Sequence, residues 1–163
     1  MNVVNFGSLN IDHVYAVDHF CRAGETIHTK SYTQNAGGKG LNQSVALARA
    51  GVETWHAGLI GPEGHFLKET LDRAGVHTRF VEESAGSTGH AIIQVDSTGQ
   101  NSILLHDGAN GRLTPDFVTA VLDLVPPMPR SQRSRRIISY KQQIHPEVAQ
   151  PTTTCSRAYT FTT

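Results

Sequence analysis

Glycines are concentrated in residues 35–44, directly before a stretch whose apolar spacing is that of a helix. Glycine lets the backbone approach a ligand closely, and the N–H groups of a first helical turn are free to bind oxygen atoms. The stretch is not a Walker A loop, because Gly40 follows Lys39 where Ser or Thr is required. It also lacks the dinucleotide fingerprint, because Gln43 occupies the last glycine position. It predicts either a binding turn for an oxygen-rich ligand or an ordinary helix start.

A polar pair, Asn10 and Asp12, follows the apolar run at residues 2–6. In open α/β sheets, ligands bind beyond the carboxyl ends of the strands. Two residues that are two positions apart in an extended segment face the same side, which suits two neighbouring hydroxyl groups of a sugar. An Asx turn, common after a strand, is the alternative.

The elements that must position these residues follow from the apolar pattern. Gly51 and Gly75 are helix-stop signals, and Thr114 followed by Pro115 is a helix-start signal. The pattern predicts strands at 2–6 and 54–60 and helices at 41–50, 66–74 and from 115 to about 124. Alternation of strand and helix predicts a parallel α/β core.

Other strands have a two-residue period, which a sheet buried on both faces does not require. They are predicted at 13–17 and 26–33 and as a hairpin, 91–95 and 102–106, around the turn at 96–99. We therefore expect a small β lid, built from segments at about 13–33 and 90–106, that projects from the core.

Charge divides the chain in two. Residues 1–127 contain 8 Lys and Arg against 13 Asp and Glu, a charge of −5, whereas residues 128–163 contain 6 against 1, a charge of +5. All 15 glycines lie in the first segment. The second segment is therefore a disordered extension, a nucleic-acid-binding arm built on Arg130, Arg133, Arg135 and Arg136, or an out-of-frame translation. We favour the last, because the first segment ends in the middle of its architecture, and no aromatic residues accompany the arginines as in nucleic-acid sites.

Three motifs together resemble the ribokinase family of carbohydrate kinases. They are Gly7-Ser8-Leu9-Asn10-Ile11-Asp12, Ala23-Gly24-Glu25-Thr26 and Gly37-Gly38-Lys39-Gly40-Leu41-Asn42-Gln43. The resemblance continues through residues 58–61, 87–89 and 108–110 and covers about residues 2–127. It implies a ribokinase-like fold, with a truncated parallel-sheet core and a small β lid.

The resemblance also implies roles for particular residues. A pentose such as ribose would be bound by Asn10, Asp12, Gly38, Lys39, Asn42 and Ala91. The lid would also form a homodimer contact, and the family would use ATP and Mg²⁺. Lys39 has a simpler alternative, since a lysine at a helix start faces the unfavourable end of the dipole and often points to solvent.

The catalytic Asp of the family lies in a Gly-Ala-Gly-Asp turn, and no such motif occurs in the 163 residues. Its nucleotide and magnesium residues would lie beyond residue 127. We therefore expect the amino-terminal, sugar-binding half of a pentose kinase, with no catalytic residue and no measurable kinase activity. The alternatives are a non-catalytic sugar-binding or lid-mediated dimerisation module and nucleic-acid binding through the basic segment.

Several classes of protein are excluded by composition. Cys21 and Cys155 form no disulfide or C-x-x-C pattern, which is typical of a cytoplasmic protein. No apolar run approaches the roughly 20 residues of a membrane span. The nine histidines have no metal-binding spacing, so no metal site is expected.

Overall fold

The computed structural model of the protein describes residues 2–125 and 136–139. No helix within these residues is long and apolar enough to span a membrane. The elements are β1 (Asn2–Phe6), β2 (Asn10–Ala16), β3 (Ser31–Gly37), α1 (Lys39–Arg49), β4 (Glu53–Ile60), α2 (His65–Arg73), β5 (His77–Glu83), β6 (Gly89–Val95), β7 (Asn101–His106), α3 (Pro115–Leu124) and β8 (Arg136–Ser139). Short 3₁₀ turns lie at Pro62–Gly64 and Gly108–Arg112.

The core is a parallel sheet in the order β5-β4-β1-β8. Helices α1 and α2 supply Leu41, Leu67 and Leu71 to one hydrophobic cluster, and α3 supplies Val121 to a second cluster. Since helices cover both faces of this sheet, residues 54–60 of β4 are all buried, as is usual for a central parallel strand. The predicted α/β core is confirmed.

The lid is a second sheet in the order β3-β2-β6-β7. Strand β2 pairs antiparallel with β3 and parallel with β6, and β6 and β7 form the predicted hairpin. Within the described residues the chain passes between the core and the lid four times, and two of these connections are short: three residues connect β1 to β2, and Gly38 connects β3 to α1. The predicted lid on a parallel core is therefore confirmed as an architecture.

The predicted boundaries of the first lid segment were wrong. Strand β2 spans Asn10–Ala16, whereas a strand was predicted at 13–17. The second strand was predicted at 26–33, but only the last three of these residues belong to β3, which continues to Gly37. Pairing along β2 decides this, because Asn10 lies opposite Gly37 and Ala16 lies opposite Ser31. The alternating residues before position 31 have no partner strand and form a loop, with Gly24 at φ 78° in the turn.

Two strands of the core were not predicted. Strand β5 was missed because its buried residues, Thr78, Phe80 and Val81, do not form a continuous apolar run. Strand β8 pairs in parallel with β1 and lies inside the segment 128–163. The rest of that segment lies outside the described residues, so its predicted disorder or out-of-frame origin stays a prediction.

Helix α3 begins as the sequence predicts. Thr114 is its N-cap, and the Thr114 hydroxyl accepts a 3.2 Å hydrogen bond from the backbone N–H of Phe117. Pro115 occupies the first helical position, where its missing N–H has no consequence. The cap thus satisfies one of the free N–H groups at the helix start.

We expect Thr114→Ala to lower the free energy of unfolding by about 1 kcal/mol, because the N–H of Phe117 loses its acceptor. Urea unfolding at neutral pH measures the change. Thr119→Ala is the matched control, since the Thr119 hydroxyl donates only to the Pro115 carbonyl within the same helix. Equal losses in both variants would show that the cap bond contributes nothing of its own.

Candidate functional site

A cavity of about 490 Å³ lies between the lid and the junction of β1 with α1. Its volume is within the usual range for small-molecule sites. It is lined by Ser8, Asn10, Asp12, Gly38, Lys39, Asn42, Ala91, Ile93, Ile103 and Leu105. All six residues proposed from the sequence lie around this one cavity. Ser8 and the three large apolar residues were not singled out.

Strand β2 brings Asn10 and Asp12 to the cavity on the same side, as their two-residue spacing requires. Asp12 lies opposite Ala91 of β6, so the register of the two strands puts the carboxylate beside a small side chain. The first polar pair and the lid residue are thus neighbours across one sheet. An isolated Asx turn does not form here, because both residues belong to the strand.

Asn110 positions Asn10, and this role was not assigned from the sequence. Its Nδ2 group donates to Asn10 Oδ1 at 2.8 Å and to the Leu9 carbonyl at 3.1 Å, and its Oδ1 accepts the Leu9 N–H at 3.0 Å. These bonds set the amide orientation of Asn10, so that the Asn10 Nδ2 group is left to donate to a ligand. A Cβ at Gly89 would lie 2.0 Å from Asn110 Nδ2, so this arrangement requires glycine there.

Asp12 is a partly buried carboxylate. Burial raises its pKa, although the neighbouring His13 acts in the opposite direction. The carboxylate lies so close to Gly37 that any Cβ at that position would collide with its oxygens. A carboxylate that has lost part of its hydration gains from hydroxyl donors, and a polyol ligand supplies them.

The glycine turn leads directly from the lid into α1. Gly38 has φ 97°, and a Cβ there would lie 2.5 Å from the Ser8 carbonyl oxygen, so a side chain is excluded on both counts. Lys39 and Asn42 follow in the first turn of α1, exposed but at the cavity wall. The turn therefore places a cation and an amide at the cavity that Asp12 also lines.

The lid contributes an apolar roof to the cavity. Ala91 pairs with Leu105 and Ile93 pairs with Ile103, so these four side chains lie on one face of the hairpin. Their alternation was visible in the predicted hairpin, but which face would meet the glycine turn was not. The other side chains that line the cavity are polar, and we call them the polar floor: Ser8, Asn10, Asp12, Lys39 and Asn42. A cavity with both polar and apolar side chains suits a ligand with hydroxyl groups on one side and C–H groups on the other.

Comparison with known proteins identifies the family. The profile described as "pfkB family carbohydrate kinase" matches residues 1–132. The chain belongs to the pfkB family. Among curated relatives, this pfkB chain is 37% identical to the ribokinase of Staphylococcus aureus (strain COL) over 128 residues, which are 76% of the chain and 42% of the relative. The resemblance to the ribokinase family stated from the motifs is confirmed.

Solved structures show the same likeness. A ribokinase from Cryptococcus neoformans var. grubii serotype A, in complex with ADP, is 35% identical with a TM-score of 0.70, covering 88% of this chain and 42% of that one. The Arabidopsis thaliana ribokinase complexed with ribose and ATP is 29% identical with a TM-score of 0.69, covering 88% and 46%. The pfkB chain thus spans less than half the length of these relatives.

The pfkB family implies ATP and Mg²⁺, and the cavity residues do not fit them. Asp12 is the only carboxylate among the cavity residues. Within residues 2–125 and 136–139, no three His, Cys, Asp or Glu side chains are grouped so as to hold a metal ion. A triphosphate in this cavity would be repelled by Asp12 and buried against the apolar roof. No phosphoryl-transfer step is assigned to these residues.

His56 lies fully buried beneath the polar floor. Burial lowers its pKa from 6.5 to about 4, although its hydrogen bond to the Gly7 carbonyl acts in the opposite direction. As the pH falls, His56 therefore binds a proton at a higher pH in the unfolded chain than in the folded protein. The stability that depends on neutral His56 is complete above pH 6.5 and is lost as the pH falls toward 4.

We expect the free energy of unfolding to fall by about 2 kcal/mol between pH 7 and pH 5 because of His56 alone. His56→Gln removes the titrating group, so its unfolding free energy decreases less over the same interval. Urea titrations of both proteins at the two pH values measure the difference. Parallel decreases would show that other groups account for the acid sensitivity.

Proposed function

We propose that this chain forms the pentose-binding part of a ribokinase-type sugar kinase that phosphorylates ribose or a similar pentose with ATP. The observation that supports this most strongly is the convergence of Asp12, Asn10 and Lys39 on one cavity under an apolar roof. The Arabidopsis relative complexed with ribose and ATP, similar over 88% of this chain, supports the same ligand class.

In this proposal, different side chains of the cavity contact different parts of the sugar. Asp12 accepts hydrogen bonds from two adjacent hydroxyl groups, and the Asn10 Nδ2 group donates to one of them. Lys39 and Asn42 donate to hydroxyls at the other end, while Gly38 lets the backbone approach the ring. Ala91 leaves room for the sugar beneath the lid, and the larger apolar residues beside it cover the C–H face and exclude water.

ATP and Mg²⁺ belong to the whole enzyme in this proposal rather than to the cavity. The Gly-Ala-Gly-Asp turn implied for the catalytic base is absent from the 163 residues. A general base contributes roughly 10²–10⁴-fold and its anion hole a comparable factor, so this chain alone binds sugar without phosphorylating it. Such a protein works in the cytoplasm, where sugar and ATP are both present.

Two measurements on the purified chain test the proposal. Isothermal titration with D-ribose should give saturable binding, and glycerol, which shares the hydroxyls but not the ring, is the matched control ligand. In a coupled assay, ribose and ATP with Mg²⁺ should produce no more ADP than a protein-free sample. Absence of ribose binding would refute the sugar site, and ribose-dependent ADP formation would refute the predicted inactivity.

Lid-mediated dimerisation is a second candidate, and the exposure of β7 favours it. Ile103, Leu104 and Leu105 are 53%, 65% and 56% exposed, which is unusual for three consecutive apolar residues on an edge strand. Pairing of two lids would cover them. Sedimentation should then show a dimer that Leu104→Lys converts to monomer, since Leu104 lies on the face of β7 opposite to the cavity residues Ile103 and Leu105. A wild-type monomer at all concentrations would exclude this candidate.

A further inference from the structure

A chain of polar side chains crosses the otherwise apolar layer between α1 and the core sheet. Asn5 of β1, Ser44 of α1 and His56 of β4 are each fully buried. Asn5 Nδ2 lies 2.9 Å from Ser44 Oγ, and Ser44 Oγ lies 2.8 Å from His56 Nδ1. Burying three polar groups is costly unless every bond is made, so this cluster requires a reason.

The directions of its hydrogen bonds follow from chemistry. The Gly7 carbonyl can only accept, so His56 Nε2 carries the proton and donates to it at 3.2 Å. His56 Nδ1 then has no proton and accepts from the Ser44 hydroxyl. The Ser44 oxygen in turn accepts from Asn5 Nδ2, which also donates to the Gly40 carbonyl at 2.8 Å. A single tautomer of neutral His56 satisfies these four bonds. Among the described residues, the buried Asn5 Oδ1 atom of the same cluster has no hydrogen-bond partner.

The two ends of this chain of bonds are the carbonyls of Gly7 and Gly40, and the backbones of these two glycines lie against each other. A Cβ at Gly7 would lie 2.6 Å from the Gly40 Cα, and a Cβ at Gly40 would lie 2.4 Å from the Gly7 carbonyl carbon. Between them, the Leu41 N–H donates to the Ser8 carbonyl at 3.1 Å. Gly7 opens the segment that leads to Asn10, and Gly40 lies in the turn that carries Lys39 and Asn42.

We propose that His56 is a positioning residue for the cavity, acting through Ser44 and Asn5 to hold the Gly7 segment against the first turn of α1. Its bonds reach no residue of the cavity wall directly. They set the distance between the two backbone segments on which the polar floor is built. The expected change in ribose affinity rests on the proposed function, whereas the expected change in backbone hydrogen exchange does not.

Three variants separate positioning from stability. His56→Leu removes the donor to Gly7, whereas His56→Gln keeps an N–H donor at the place of Nε2. Thr54→Val is the matched control, because Thr54 is fully buried in the same strand and its hydroxyl donates only to the nearby Val52 carbonyl. It removes a partly buried hydrogen bond at the start of β4 and leaves the Gly7–Gly40 contact unchanged.

Two readouts are compared at pH 7. In titrations with D-ribose, His56→Leu should weaken binding about tenfold, His56→Gln less than about threefold, and Thr54→Val not measurably. Amide hydrogen exchange, measured by NMR, should become faster at Leu41 in His56→Leu by more than the change in global stability explains. The same amide in Thr54→Val should change only as much as global stability does.

The outcomes distinguish the two proposals. If the wild-type protein does not bind ribose, the proposed function fails, and Leu41 exchange alone decides the role of His56. If His56→Leu matches Thr54→Val in both readouts once stability is accounted for, the positioning role is overturned. Should His56→Leu fail to fold, Ser44→Ala breaks the same chain of bonds with a smaller change in volume, and the same criteria apply.

Discussion

Asp12→Ala should weaken D-ribose binding by about 100-fold. Asp12 is the only carboxylate among the cavity residues, and a hydrogen bond to a charged group contributes roughly 1.5–3 kcal/mol. The same substitution should leave stability at pH 7 unchanged or slightly higher, because burial raises the pKa of Asp12 and so disfavours its charged form in the folded protein. Loss of affinity without loss of stability is the signature of a binding residue.

Calorimetric titration with D-ribose, paired with urea unfolding, measures both effects. Glu82→Ala is the matched control, since Glu82 is an exposed carboxylate on β5 outside the cavity. For the wild-type protein, ribose affinity should also decrease on acidification, beginning above the pH at which an ordinary aspartate titrates. An Asp12→Ala variant that binds ribose as tightly as the wild type would remove Asp12 from the site.

Gly40→Ala should lower the free energy of unfolding by about 3 kcal/mol and abolish ribose binding together with it. The new Cβ would lie 2.4 Å from the Gly7 carbonyl carbon. The three atoms nearest to it all belong to the backbone, so no flexible side chain can move aside to make room for it. The β1–β2 connection and the first turn of α1 must therefore separate, which moves Asn10 away from Lys39 and Asn42.

Urea unfolding of Gly40→Ala and Gly111→Ala provides the comparison. At Gly111 the nearest atom to an added Cβ is 3.6 Å away, which is ordinary contact, so alanine there should change stability by no more than about 0.5 kcal/mol. If Gly40→Ala is as stable as Gly111→Ala, the close approach of the two backbone segments is not required by the fold.

In this proposal, the acid sensitivity of folding and the arrangement of the cavity residues both depend on the hydrogen bonds of neutral His56. A neutral His56 donates to Gly7, and a protonated ring would lose the acceptor at Nδ1 that Ser44 requires. In the same proposal, the polar floor of the cavity depends on His56, which belongs to none of the sequence motifs. We therefore propose that the cavity and the folding of the core are coupled through the backbone contact between Gly7 and Gly40 rather than through the side chains that line the cavity.

Local signals in the sequence were sufficient for most individual elements. Helices α1, α2 and α3, the β6–β7 hairpin and the Thr114 cap were all predicted to within about two residues. Their determinants lie within a few residues of one another: apolar periodicity, glycine stops and a capping hydroxyl. The motifs also identified, before any geometry, six residues that line one cavity.

Pairing between distant segments was decided only by the tertiary structure. Strand β3 begins at Ser31 because its partner strand β2 ends opposite that residue. Strands β5 and β8 form because β4 and β1, respectively, provide the backbone groups with which they pair. None of these partners is near in sequence, so no local pattern could indicate them. The prediction of a strand at 26–33 was wrong for this reason.

By itself, the sequence determined the family, the α/β core with its lid, and six of the residues that line one cavity of about 490 Å³. Only the tertiary structure decided what holds those residues in place: Asn110 bonded to Asn10 across 100 positions, and His56 bonded to Gly7 across 49. The physical reason is that a buried polar group is satisfied by whichever partner folding brings within about 3 Å, and sequence separation has no part in that choice.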